Sequence, residues 1–375
     1  MASVARDTRD GQWLARWRDP SGRQRKKSFG RRVDAQRWLD QMRAETHRGQ
    51  YVDPAGGRLR LGPYALTWMA GQGHLKPSTA YRYQGIVNHH IVAHWGSWPL
   101  GSVTHSDVAG WIAGLSAGGL RPGSVRQIHR VFAMIMSAAV VDGRIGRSPA
   151  DGVKLPRQVR AEPRSLTSTE IGRLATAAGP DNAPLILVLA FTGLRFGEAA
   201  GLRVRRVDFG RRRLDIREIA SEVGGRVVFG TPKTHQRRTV VVPRSLMPLI
   251  EAASEGKSPD DHVFTSPDGS TLRMRNWRSR VFDPARAAAG LHHVRPHDLR
   301  HTAASLAIAS GATVKAVQSM LGHASAAMTL DIYASLFADE LDAVADALDA
   351  AVPQMCHITS SASSSADLSD ARKSL

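Results

Sequence analysis

The sequence predicts a multidomain protein, mainly α with small β-sheets. Three observations lead there. The chain has 375 residues, more than one ordinary domain. The stretches 49–62 and 148–165, the second rich in Pro and Arg, read as linkers. Before the first linker the apolar pattern includes strand-like alternation, between the two it has helical spacing, and beyond the second it mixes both. The expected order is an N-terminal β-sheet-plus-helix domain (1–50), an all-α domain (63–150) and an α+β domain (166–350). Residues 353–375 form a low-complexity tail, expected to be disordered.

Each element has its own signal. In "GQWLARWRDPSGRQRKKSFG", Trp13, Ala15 and Trp17 alternate with Leu14, Arg16 and Arg18. The turn Asp19-Pro20-Ser21-Gly22 follows, then a second run to Phe29, which is a hairpin signal. A helix is expected from Val33 to about Arg48, with Ala35, Trp38, Leu39 and Met42 on one face. Up to Arg60 there are 15 Lys/Arg against 7 Asp/Glu, so the exposed face should be basic. In the second domain, Ser78 and Ser124 are helix-start signals. Val125, Ile128, Val131, Phe132, Ile135 and Met136 make an apolar stripe, and Gly143 suits its end. In the third, Thr167 and Glu170 stand at capping-box spacing. Strands are expected within 212–219, 226–230 and 238–243.

Charge narrows the function. Lys plus Arg total 51 against 33 Asp plus Glu, a formal charge of +18, which implies a polyanionic partner. The apolar stretches 131–141 and 183–191 are too short to span a bilayer. The N-terminal "MASVARDTRDGQW" has no apolar core for export. A single cysteine, Cys356, excludes an internal disulfide framework and a cysteine-built zinc site. The working class is a soluble, cytoplasmic, nucleic-acid-binding protein with no membrane partner.

Four stretches of the third domain could carry chemistry. In "AFTGLRFGEAAGLR", Arg195 opens a helix and Glu198, three residues on, can orient it. In "GTPKTHQRRTVVVP", Lys233 stands at the tip of an expected hairpin whose return strand starts at Arg237 and Arg238. In "RPHDLRHTAAS", His297 and Arg300 share a helix face. His297 and His301 also have zinc-ligand spacing, with Asp298 as a base, but Arg300 would set a fixed cation within one turn of the metal. A phosphate wants the opposite, a guanidinium fork with a His donor beside it. In "LGHASAAMTLDIYASL", His323 follows Gly322 in a turn, and Tyr333 is the only tyrosine of this domain.

Together, from about Leu166 to Phe337, these stretches resemble the tyrosine recombinase (phage integrase) family. The resemblance rests on "TGLRFGE", "HDLRHTAAS" and "LGHAS", with a Tyr shortly after. It implies Arg195, Lys233, His297, Arg300, His323 and Tyr333 as catalytic residues. It likewise implies an arm-type DNA-binding domain at 1–50, a helical core-binding (SAM-like) domain at 63–150 and a catalytic domain at 166–350. The arm-like part favours an integrase of a phage or other mobile element over the shorter chromosome-dimer resolvases.

The implied reaction cleaves and rejoins DNA through a 3′-phosphotyrosine. Tyr333 attacks, Arg195 and Arg300 stabilise the pentacoordinate phosphate, and His323 adds a hydrogen bond. His297 orients the site or assists proton transfer, Lys233 protonates the leaving 5′-oxygen and Glu198 holds Arg195. His301 is expected to support its helix. No metal and no other cofactor is implied, and no Walker A sequence occurs. The implied partners are double-stranded DNA at core and arm-type attachment sites and three further copies in a homotetramer. An excision factor or DNA-bending protein would be accessory. The acidic 338–350 stretch is expected to pack on a neighbouring copy. The alternatives are a type IB topoisomerase-like strand transferase, a non-catalytic DNA-binding regulator and a zinc hydrolase.

Overall fold

The computed structural model describes residues 3–8, 10–19, 22–47, 56–158, 164–231, 238–338 and 348–349. The protein is mostly helical with small antiparallel sheets. It divides into two compact units, Met1–Ala161 and Glu162–Leu375.

The first unit begins with β1 (Ser3–Arg6), β2 (Trp13–Arg18) and β3 (Gln24–Phe29), an antiparallel sheet in that order. The expected hairpin is β2–β3, in register from Trp13 opposite Phe29 to Arg18 opposite Gln24. Ala15 and Trp17 are buried while Arg16 and Arg18 face solvent, as a half-buried strand requires, but Leu14, on the arginine face, is buried as well. The sequence signal for β1 was too weak to place it: four residues with no apolar alternation. Helix α1 (Arg32–His47) lays Leu39 and Met42 against Trp17, and Trp38 meets Trp17 edge-on at 6.3 Å.

Next come α2 (Leu61–Ala70) and α3 (Pro77–Ile86), which runs through a π-helical turn, Val87–Val92, into α4 (Ala93–Trp95). Helices α5 (His105–Ala117) and α6 (Pro122–Val141) complete the unit's second core. The expected stripe of α6 is buried, and Phe132 packs with Trp95 and Trp111. Both α3 and α6 start at a proline, earlier than the serines suggest. Proline suits the first helical position because an N–H there would have no partner within the helix. Helix α2 likewise starts inside the stretch expected as linker, because Leu61 and Ala65 are buried in this core.

The second unit opens with α7 (Ser168–Ala178), capped by Thr167 and Glu170 as their spacing predicts. Helix α8 (Ala183–Thr192) is apolar all round and lies between α7 and α13 (Asp298–Ala309). Between them in sequence stand α9 (Phe196–Ala200), β4 (Val207–Asp208), β5 (Arg213–Ile216), β6 (Ile219–Val223), β7 (Arg226–Gly230) and β8 (Arg238–Val241). Then follow α10 (Met247–Ser254) and α11 (Met274–Trp277), which continues through Arg278–Phe282 into α12 (Asp283–Ala288). The unit closes with α14 (Val314–Leu321) and α15 (Ala326–Ala338).

One expectation is corrected. β7 and β8 do not pair with each other: the sheets are β4-β5-β8 and β6-β7. Gly224 and Gly225, both at positive φ, close a tight β6–β7 turn of the kind that matches strand twist, so β7 takes β6 as its partner. β8 then pairs with β5. Lys233 falls between strands of two different sheets and lies outside the described residues. So do 339–347 and 350–375, which hold most of the acidic 338–350 stretch and the tail. No described helix is long and apolar enough to cross a membrane.

Candidate active site

The site is built from helix ends. Helix α8 stops at Gly193, whose left-handed φ of 67° lets the chain turn away. Two residues on, Arg195 precedes α9, and its backbone N–H donates to Glu198 Oε2 at 2.8 Å. Its guanidinium donates to Glu198 Oε1 at 2.9 Å. Glu198 is buried and holds a second guanidinium: Arg238 donates to both carboxylate oxygens, at 2.8 and 2.6 Å. Burial alone would raise this carboxyl. The hydrogen bond and charge of Arg238, with those of Arg195, outweigh it and hold the group at about 2.

Arg300, near the start of α13, is buried without a carboxylate partner among the described contacts. Its Nη1 donates to the Gly193 carbonyl and its Nη2 to the Leu321 carbonyl, both at 2.6 Å. These carbonyls belong to the C-terminal ends of α8 and α14, where the helix dipoles are negative. Two helix ends thus compensate the buried cation. Burial and the nearby Arg195 and Arg238 push it down to about 9, so it stays charged at neutral pH. A guanidinium has five N–H donors, so these two bonds leave capacity for an anion.

The turn after α14 brings in His323. Gly322, at φ 64°, ends the helix in the left-handed conformation. A Cβ there would lie 2.8 Å from Arg238 Cδ, so a larger residue would push on the side chain that reaches Glu198. Gly322→Ala is expected to cost about 1–2 kcal/mol in backbone strain alone. It should also displace Arg238, and a thermal unfolding scan would reveal the loss. His323 Nδ1 lies 2.9 Å from Thr329 Oγ1. Burial, then Arg300, Arg195 and Arg238, push this histidine down to about 4.

Tyr333, on α15, is buried at 2% exposure among Ala304, Ile308, Val317 and Leu321. Its hydroxyl meets His301 Nδ1 at 2.7 Å. Burial pushes the phenol up to about 12, with Arg300 pulling the other way. His297 sits edge-on to His301, with ring centroids 4.9 Å apart. It keeps an exposed face, yet burial of the rest, then His301 and Arg300, push it down to about 4.

The structure therefore gathers Arg195, Arg300 and His323 into one electrostatic neighbourhood, with His297 and Tyr333 beside Arg300. Two residues of this cluster are not singled out by the sequence. In the sequence Arg238 reads only as the start of a strand. Its signal was period two, which puts it on the same face as buried Val240 and Val242. His301, expected only to support its helix, is the residue that contacts the Tyr333 hydroxyl. The zinc arrangement fails on Asp298, whose carboxylate is taken by Arg295 through its backbone N–H and guanidinium. Among the described residues, no group of three or more His, Cys, Asp or Glu is placed to hold a metal ion.

Residues 164–340 match the phage integrase family. The chain is 29% identical over 341 residues to a putative prophage phiRv2 integrase of Mycobacterium tuberculosis, covering 87% of this chain and 89% of that protein. In fold it is similar to the Tn1549 transposon integrase in complex with a circular intermediate DNA. The TM-score is 0.66 at 20% identity, over 73% of this chain and 95% of that one. It is also similar to a lambda integrase tetramer bound to a Holliday junction, with a TM-score of 0.57 at 20% identity, over 86% and 95%. Over residues 164–340 the protein is thus similar to the phage integrase family, and over most of its length to a prophage integrase.

Proposed function

We propose that this protein is a site-specific DNA recombinase, the integrase of a phage or other mobile element, which cleaves and rejoins DNA through a 3′-phosphotyrosine. The observation that carries the reading is a buried, charged Arg300 whose partners are main-chain carbonyls, set beside Arg195 and close to a buried phenol. Such a site is short of anions and suits a phosphodiester.

In this reading Tyr333 attacks phosphorus. The negative charge that grows on the non-bridging oxygens meets Arg195 and Arg300, already fixed in place, so little reorganisation is needed. Glu198 and Arg238 hold Arg195. With Nδ1 occupied by the Thr329 hydroxyl, His323 has Nε2 left to donate a hydrogen bond to a non-bridging oxygen. His297 lines the approach, and Lys233 protonates the leaving 5′-oxygen. The guanidiniums supply the charge that a metal would otherwise bring, and the phosphotyrosyl bond keeps the energy of the broken one, so ATP is not needed.

The three sequence domains receive roles. Residues 1–50 act as the arm-type domain, their basic strands offering Arg16, Arg18 and Lys26 to solvent. Residues 63–150 act as the core-binding domain and 166–350 as the catalytic domain. The working form is a homotetramer on two core sites, a proposal supported by the fold likeness to the lambda integrase tetramer.

The test uses a nicked suicide duplex carrying a core site selected in vitro for binding. A detergent-stable protein–DNA adduct should form in EDTA, and peptide mapping should place it on the peptide containing Tyr333. An adduct elsewhere, or one lost in EDTA, would overturn the reading.

A further inference from the structure

The hydrogen bond between α13 and α15 assigns a role to a residue outside the six proposed above. We infer that His301 is a catalytic residue: its Nδ1 takes the proton of Tyr333 as the phenol attacks phosphorus. The inference rests on Tyr333 being the nucleophile. Three observations carry it.

The first is contact. His301 Nδ1 lies 2.7 Å from Tyr333 Oη, within reach of direct proton transfer. His297 packs at a near-right angle against the His301 ring, 4.9 Å between centroids, and it is His301 that makes the contact with the phenol. The second is need. A phenol buried at 2% exposure has no ready path to bulk base, and its burial favours the neutral form. The third is the charge state. His301 is half-buried, and burial pushes its ring below the ordinary 6.5, so at neutral pH it is free to accept. The groups around it are Arg295, His297, Asp298 and Arg300 from its own segment, His323 from the turn after α14, and Tyr333 from α15. Cations outnumber the one carboxylate, and that carboxylate is already paired with Arg295.

The step balances. The Tyr333 O–H bond breaks and its proton moves to Nδ1 as Oη bonds to phosphorus. The bond from phosphorus to the 5′-oxygen breaks, and that oxygen takes a different proton, from the general acid. His301 leaves the step as imidazolium. In rejoining, the incoming 5′-hydroxyl returns its proton to the general acid, and His301 returns the other to Oη.

The experiment measures single-turnover adduct formation on the nicked duplex by the full chain, with His301→Ala and His301→Asn, across pH. Asparagine can keep a hydrogen bond to the phenol but cannot carry its proton. Both variants should bind the duplex as the wild type does and form adduct about 100- to 10,000-fold more slowly. The wild-type rate should level off above the His301 titration, below pH about 6.5. The variant rates should keep rising with pH, because hydroxide must then take the proton. Added imidazole should speed His301→Ala. On a duplex with sulfur as the 5′-bridging atom, whose departure needs no proton, the His301 deficit should persist.

A wild-type rate and pH profile in His301→Asn would overturn the inference and leave the bond a positioning contact. A deficit that vanished on the sulfur substrate would also overturn it, moving His301 to the leaving-group side. Tyr333→Phe run in parallel separates the two readings: adduct from that variant defeats the nucleophile assignment itself, whatever His301 does.

Discussion

Tyr333→Phe is expected to abolish covalent capture of nicked DNA while leaving the fold and DNA binding nearly intact. The two effects come from different atoms. The ring fills a site with Ala304, Ile308, Val317 and Leu321, and phenylalanine keeps that packing. The hydroxyl contributes one hydrogen bond to the fold, to His301, worth about 0.5–1.5 kcal/mol net. In chemistry the same hydroxyl is the atom that would bond to phosphorus, and no neighbour can replace it. Tyr333 is also the only tyrosine beyond position 83. The variant should therefore retard the duplex in a gel like the wild type and yield no adduct after denaturation. An adduct at any appreciable fraction of the wild-type yield would end the assignment.

Glu198→Ala should produce the largest loss of stability, together with a loss of activity. The carboxylate is fully buried and carries two guanidiniums, of which Arg238 is only 9% exposed. Removing it strands Arg238 in a poorly solvated position. Breaking a buried pair by removing one partner costs about 3–5 kcal/mol. Arg195 loses the group that fixes it, and losing one preorganised donor costs about 100- to 1000-fold in rate.

The pH dependence gives a second check. The Glu198 carboxyl is depressed from 4.5 to about 2 on folding, so its contribution is complete above 4.5 and is lost as pH falls through about 2. Glu198→Gln keeps the shape of the side chain but should lack that acid-driven loss. Urea titrations at pH 7 and pH 3 measure it. Equal stability loss in wild type and Glu198→Gln between those values would contradict the central place given to this carboxylate.

Local patterns were legible in the sequence where local physics decides. Thr167 with Glu170, the α6 stripe and the β2–β3 pairing depend on residues a few positions apart, and each stands as its spacing predicts. Arg195 and Glu198 are of the same kind, three residues apart on one turn. What escaped was set by distant partners. Arg238 reaches Glu198 across 40 positions and His301 reaches Tyr333 across 32, and neither pairing has a local signature. The pairing of β7 differs from the sequence expectation for a related reason. Two strand signals on either side of Lys233 look like one hairpin until the Gly224-Gly225 turn claims β7 for β6.

The anchoring of Arg300 has a consequence for how such a chain can diverge. Its described partners are peptide carbonyls, and every amino acid supplies one. Substitution at position 321 therefore leaves the carbonyl in place so long as α14 ends where it does. The address of the guanidinium is written in helix length and in the two glycines, 193 and 322, that end α8 and α14. Insertions or deletions in these helices should be purged far more strictly than side-chain exchanges. Among descendants of this sequence, the spacing between those glycines and Arg300 should outlast the apolar residues packed around them.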